Sequence, residues 1–228
     1  MFDFVCKADS ALQFLILRYS SAIYCIFKYN RWNTSWITER NEPTVPIQFQ
    51  YYETLVEPSL LEGVWKLLCR YDSEFIPPLS AREYTYQSDL TVCSTANQEP
   101  NRYFETLKKQ SFLLVQDRDK VIGFMSFRPH YVSEDVNDQV ETIYVTTVIV
   151  DEEYRGQGIT THLYVELEEI TRLRKQPLMT RTWSTNDSHI RVLNKIKMRE
   201  IKRIENGRGP GIDTVYYRKY LQEESTLS

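Results

Sequence analysis

The sequence has no cysteine pair spaced to organise a fold. Its four cysteines, Cys6, Cys25, Cys69 and Cys93, lie far apart, with no CxxC and no histidine at metal-ligand spacing. That pattern argues against a disulfide framework and against a metal site, and fits free thiols in a reducing cytoplasm. A strong charge of either sign is missing too. The formal net charge of -3 gives no bulk attraction to nucleic acid or to an anionic membrane. No repeat or low-complexity tract is present, and neither is a clean membrane span. The most apolar stretch, "ALQFLILRYSSAIYCIFKY" from Ala11 to Tyr29, is broken by Gln13, Arg18 and Lys28, whereas a span needs about 20 mostly apolar residues. Asp3 and Asp9 before it deny it the basic start of a signal peptide. Leu12, Ile16, Tyr19, Ile23 and Ile26 recur instead at helical spacing, and Ser10 with Gln13 makes a capping box. The stretch reads as an amphipathic helix packed on the protein or a partner, and as a candidate homodimer element, without membrane insertion.

What is present is enough apolar residue for a substantial core, 42% of 228 residues. Pro43 and Pro46 mark a boundary that divides an N-terminal extension, residues 1–46, from one domain at 47–228. In that domain "IQFQYYETL" reads as a strand, Pro58 to Tyr71 as a helix with proline in its first turn, and Asn101 to Gln110 as a short helix. Between them "DSEFIPPLSAREYTYQSDL" reads as a loop, mobile or substrate-contacting. "SFLLVQD" and "KVIGFMSFR" form a hairpin through Arg118 and Asp119. Val140 to Val150 is a β-branched run suited to a central strand buried on both faces. A helix marked by Ile159, Leu163, Leu167, Ile170 and Leu173 follows, then the strand "PLMTRTW", the helix "DSHIRVLNKIK" and a closing strand pair around "NGRGPGI". The class is α/β in the α+β sense: a mixed central sheet flanked by helices, with an N-terminal helical extension.

The turn "DEEYRGQGIT", between the central strand and the long helix, carries the chemistry. Unpaired N–H groups and the positive dipole end open the helix after Gly158. Gly156 and Gly158 let the backbone turn tightly and approach a ligand. Arg155 adds a planar fork for phosphate oxygens. The sum is an anion site, most naturally for phosphate. It is neither a P-loop, which needs GxxxxGK and then Ser or Thr, nor a dinucleotide fingerprint, because five residues separate the strand from the first glycine and Thr161 stands for the last.

"VIVDEEYRGQGIT" resembles the acetyl-CoA-binding signature of the GNAT superfamily of N-acetyltransferases. Arg155 and Gly158 match its fixed positions, Gly156, Gln157 and Ile159 are typical fillings, and Thr160 stands where Gly or Ala is usual. The resemblance covers about Ile47 to Leu221 in the order of its elements. It implies a GNAT-like fold and transfer of an acetyl group from acetyl-CoA to a primary amine of a small-molecule, peptide or protein acceptor. It also implies pantetheine contacts from Val148, Ile149 and Val150, pyrophosphate contacts from Arg155 to Thr160, and a cofactor contact from Asn186. The family's early-strand glutamate position falls on Ile143; Glu141, two residues earlier on the same strand face, is the candidate base, with His130 as an alternative, and Arg181 stands where one branch has its glutamate base. The family's usual tyrosine acid falls on Leu193. Ser184 is then the candidate acid, with Ser188, Tyr144 or a water as alternatives, and Ser188 also reads as a helix N-cap. The missing tyrosine and the extra N-terminal segment leave room for a catalytically weak, GNAT-like acyl-CoA-binding or regulatory module.

Overall fold

The computed structural model describes residues 47–91 and 99–221. The N-terminal helix expected at 11–29 lies outside them, as do Cys6, Cys25 and Cys93; Cys69 is a free thiol. No helix among the described residues is long and apolar enough to cross a membrane, and no cluster of His, Cys, Asp and Glu there could hold a metal ion.

Seven strands form one sheet in the order β1-β2-β3-β4-β5-β7-β6. They are β1 (Gln48–Tyr52), β2 (Ser111–Asp117), β3 (Lys120–Tyr131), β4 (Thr142–Val150), β5 (Leu178–Trp183), β6 (Arg199–Ile204) and β7 (Thr214–Lys219). Between them run α1 (Pro58–Tyr71), α2 (Asn101–Leu107), α3 (Ile159–Arg174) and α4 (Asp187–Lys195). All pairings are antiparallel except β4 with β5. A parallel pair needs a long crossover, and α3 provides it.

Strand alternation gives the sheet two cores, which is why β2 to β4 read as continuous apolar runs. Leu113, Val115, Ile143, Val145 and Leu178 pack with Leu163 and Leu167 of α3 and Leu193 of α4. Phe112, Leu114, Phe124 and Ile149 pack with Leu60, Val64, Leu67 and Leu68 of α1. Burying each such side chain stabilises the fold by about 1.5–3 kcal/mol. Leu173, expected on the apolar stripe of α3, is 75% exposed, and the buried face of the last turn is carried by Thr171, 1% exposed. The 72–90 segment is not a bare loop: Leu79 and Ala81 are buried, and the Arg82 guanidinium donates to the carbonyls of Ile76 and Pro77.

One irregularity in the β3–β4 pairing positions the cavity. Ser126 pairs with Thr147 but Phe127 pairs with Val145, so Thr146 is an extra residue in β4, a β-bulge. It is fastened by its hydroxyl, which donates to Gln110 Oε1 at 2.6 Å and shares a hydrogen bond with Ser126 Oγ at 2.9 Å. The bulge reverses the parity of the strand: Ile143 and Val145 face α3 before it, Val148 and Val150 after it, while Ile149 turns to α1. The extra twist also parts β4 from β5. Their ladder ends at Val145 and Thr180, although β4 continues to Val150 and β5 to Trp183.

Candidate active site

The parted strands open a cavity of about 630 Å³ through the sheet. One wall is the unpaired edge of β4 from Thr146 to Val150; the other is β5 from Thr180 to Trp183. On the α3 face it is closed by Gly156, Gly158 and Thr160 and by Asn186 and His189 at the start of α4, and on the opposite face by Phe75, Arg82 and Arg208.

The turn after β4 is held by α1. Asp151, fully buried, accepts from the Tyr71 hydroxyl at 3.0 Å and pairs with Arg70 and Lys120, each at 3.2 Å. Burial works against its charge, but the hydrogen bonds of Tyr71 and Lys120 outweigh it and its pKa is lowered. The Tyr71 oxygen also accepts the Glu152 N–H at 2.8 Å. Tyr71, itself part of the cavity wall, and Asp151 behind it thus position the glycine turn, and nothing local in the sequence marks them, since about eighty positions separate the partners.

Gly156 and Gly158 have φ of +78° and +80°, and no heavy atom lies within 4 Å of where a Cβ would stand. Side chains at such φ are strained, and the space they would fill stays open. Gly158 caps α3 without any side-chain hydrogen bond, so the N–H groups of the first helical turn face that space. Gln157 is exposed beside it, Ile159 is buried under it and Thr160 borders it.

Arg155 is engaged elsewhere than the expected phosphate fork requires. Its Nε donates to the Val150 carbonyl at 2.9 Å, its two terminal nitrogens grip Glu74 at 3.1 and 3.0 Å, and the guanidinium lies 4.6 Å from the centre of the Tyr71 ring. Asn186 lines the cavity and is also the N-cap of α4, its side chain accepting the His189 N–H at 3.2 Å. The cap expected at Ser188 is therefore at Asn186, and Ser188 sits inside the first turn.

The two expected catalytic residues do not reach the cavity wall. Glu141 lies just before β4 and meets His130 Nδ1 at 2.8 Å in an exposed cluster with Gln176. The Ser184 hydroxyl accepts the Asp213 N–H at 2.9 Å, which ties β5 to the start of β7. Leu193 is wholly buried in the core, so no proton donor stands there. Tyr144 is buried with Met179 and Tyr216. Two cavity groups escaped sequence reasoning. Thr182 Oγ1 is buried with no hydrogen-bond partner. His189 Nε2 shares a 2.8 Å hydrogen bond with the Tyr164 hydroxyl, and burial pulls the imidazole pKa down to about 4.

The sign of that last shift makes a prediction. As pH falls, the unfolded imidazole takes its proton near pH 6.5 and the folded one only near 4. The contribution is complete above the unfolded value and is lost as pH drops through that window, about 2 kcal/mol in all given the partial solvent contact. Thermal unfolding of the native chain should lose more stability between pH 7 and 4 than His189→Gln does.

A mixed sheet parted at one parallel pair, with a glycine turn and a helix start at the gap, is the architecture of acyl-CoA-dependent transferases of the GNAT fold. The chain belongs to the acetyltransferase (GNAT) family, whose model matches residues 75–196, and the cosubstrate of that family is acetyl-CoA. Solved structures with the same fold include the yncA protein of Salmonella typhimurium with its cofactor acetyl-CoA, at TM-score 0.55 and 13% identity over 80% of this chain and 98% of that one. An N-acetyltransferase from Staphylococcus aureus Mu50 superposes at TM-score 0.54 with 17% identity, covering 78% of this chain and 100% of its own. A ribosomal-protein-alanine N-acetyltransferase from Brucella melitensis does so at 0.53 with 18% identity, again over 78% and 100%. No curated protein sequence matches the chain.

Proposed function

We propose that residues 47–228 form an N-acetyltransferase domain that acetylates a primary amine, in a reducing compartment such as the cytoplasm, with 1–46 as an appended segment suited to self-association or docking. The observation that carries this is the parted β4–β5 edge running straight into the Gly156–Gly158 turn. When bound, acetyl-CoA supplies a thioester: the amine nitrogen forms the new C–N bond, the C–S bond breaks, and the proton lost by the amine ends on the thiol. The backbone of Val148, Ile149 and Val150 offers the pantetheine an unpaired strand edge and a donor for the acyl oxygen. The N–H groups from Ile159 to Thr161 and the open space over Gly156 and Gly158 suit a pyrophosphate. Arg155 adds a charge there by turning from Glu74, and the free amide end of Asn186 adds a donor. No proton transfer is assigned to Glu141 or Ser184, since neither lines the cavity.

A second reading, a catalytically weak acyl-CoA-binding module, is favoured by the burial of Leu193 where a proton donor would stand. Calorimetry with acetyl-CoA tests what the two share: the native chain should bind, and Arg155→Glu should bind 10- to 100-fold more weakly. Absence of native binding would sink both. Thiol release on adding small amines and peptides then separates them, and no acceleration over hydrolysis would leave the binding module.

A further inference from the structure

The side of the cavity away from α3 is built of buried positive charge. Along β5, Leu178 packs into the α3 core while Met179 packs with Tyr144 and Tyr216 on the other face. By alternation Arg181 and Trp183 share the face of Met179. Arg208, from the glycine-rich loop between β6 and β7, lies 5.7 Å from the Trp183 ring centre and donates to the Ile76 carbonyl at 2.6 Å. Arg82 donates to the same carbonyl at 3.3 Å. All three arginines line the cavity, and all three are buried: Arg82 is 5% and Arg208 7% exposed, and the Arg181 side chain 6%.

Among the described residues, carboxylate counter-charge for Arg181 and Arg208 is scarce. Arg181 has Asp135 at 3.8 Å, a carboxylate that also accepts from the Tyr216 hydroxyl. Arg208 has no carboxylate within ion-pair distance among the described residues; its partners are the Ile76 carbonyl and, at 3.1 Å, Thr214 Oγ1. Glu74, the acidic residue of the cavity wall, is taken by Arg155. Burial, then the charges of Arg82 and Arg181, push the Arg208 pKa well below its usual value. A guanidinium stays protonated in proteins, so the cost is borne by the fold until an anion relieves it. The phosphate cradle at Gly156 to Thr160 lies on the α3 face, so the cosubstrate's pyrophosphate does not answer this charge.

We propose that Arg181, Arg208 and Arg82 form an anion subsite for the acceptor, and that the acceptor is an amine carrying its own carboxylate or phosphate-type group, with Phe75 and Trp183, ring centres 5.9 Å apart, as flat walls for an apolar body. The inference rests on the acetyltransferase reading and narrows its substrate class.

Matched amines test it by thiol release from acetyl-CoA: phenylalanine against phenylalaninamide, glycine against glycinamide, and 2-aminoethylphosphonate. The acids should exceed their carboxamides at least 10-fold in kcat/KM, although the carboxamides present more neutral amine at pH 7. The phosphonate arm tells a carboxylate preference from a phosphate one. Arg208→Gln should erase the preference through KM, and Arg208→Lys should keep part of it. Acetyl-CoA affinity in each variant reports an intact fold. A second arm needs no turnover: N-acetylphenylalanine should bind the CoA-loaded protein by calorimetry at least 10-fold more tightly than its carboxamide, and Arg208→Gln should lose that difference. Equal handling of acids and carboxamides in both arms would overturn the subsite while acetylation of neutral amines kept the transferase. Discrimination in binding with no amine acetylated would keep the subsite and remove the transferase reading.

Discussion

Gly158→Asp should reduce acetyl-CoA affinity at least 100-fold, about 2.7 kcal/mol, while the chain stays folded. Gly158 has φ of +80°, where any side chain is strained, but aspartate and asparagine tolerate it better than most and both carry the same backbone cost, about 1 kcal/mol. Nothing stands within 4 Å of the new Cβ, so the carboxylate would project into open space at the helix start. That space is where the first-turn N–H groups and the dipole favour an anion, and a resident carboxylate would satisfy them and repel phosphate. Gly158→Asn is the control, with the same shape and no charge; it should lose less than 10-fold. Calorimetry measures both, and circular dichroism checks the fold. If the aspartate variant binds as the native chain does, the phosphates are held elsewhere.

The second large effect is on stability. Asp151→Ala should cost about 3 kcal/mol in denaturant unfolding. The carboxylate is 1% exposed, while Arg70 and Lys120 are 55% and 51% exposed and can return to water. Most of the loss therefore comes from the buried Tyr71 hydroxyl, left without its acceptor, and from a turn no longer tied to α1. The sign of the pH dependence follows from the lowered pKa of Asp151. Its stabilisation is complete above the ordinary aspartate value of 3.8 and is lost as pH falls below it, so the native and Asp151→Asn curves should converge in acid. Acetyl-CoA binding by Asp151→Ala should weaken too, because the glycine turn follows directly. An unaltered unfolding midpoint would show that α1 does not hold the turn.

Glu141 and Ser184 show the limit of reading a site along the chain. Glu141 stands just before β4 and Ser184 just after β5. Thr146 adds a residue to β4 and swings it from β5, so the cavity begins beyond Val145 and leaves Glu141 outside with His130. Ser184 is drawn away by the backbone of Asp213, a partner 29 positions on. Arg181 and Arg208 were visible as residues, but their convergence depends on β5 lying beside β7 and on the β6–β7 loop reaching Ile76.

Local chemistry in the sequence was enough for the order of the elements, the burial of β4 on both faces and the glycine turn that opens α3. Each depends on neighbours within a few residues: apolar periodicity, β-branching, and a backbone that must adopt positive φ. The sequence also carried the family. Only the tertiary structure decided that Arg155 rests on Glu74 and that three arginines meet across the sheet from the phosphate cradle. Those facts are set by strand register and by contacts between residues about a hundred positions apart, and no local pattern records them.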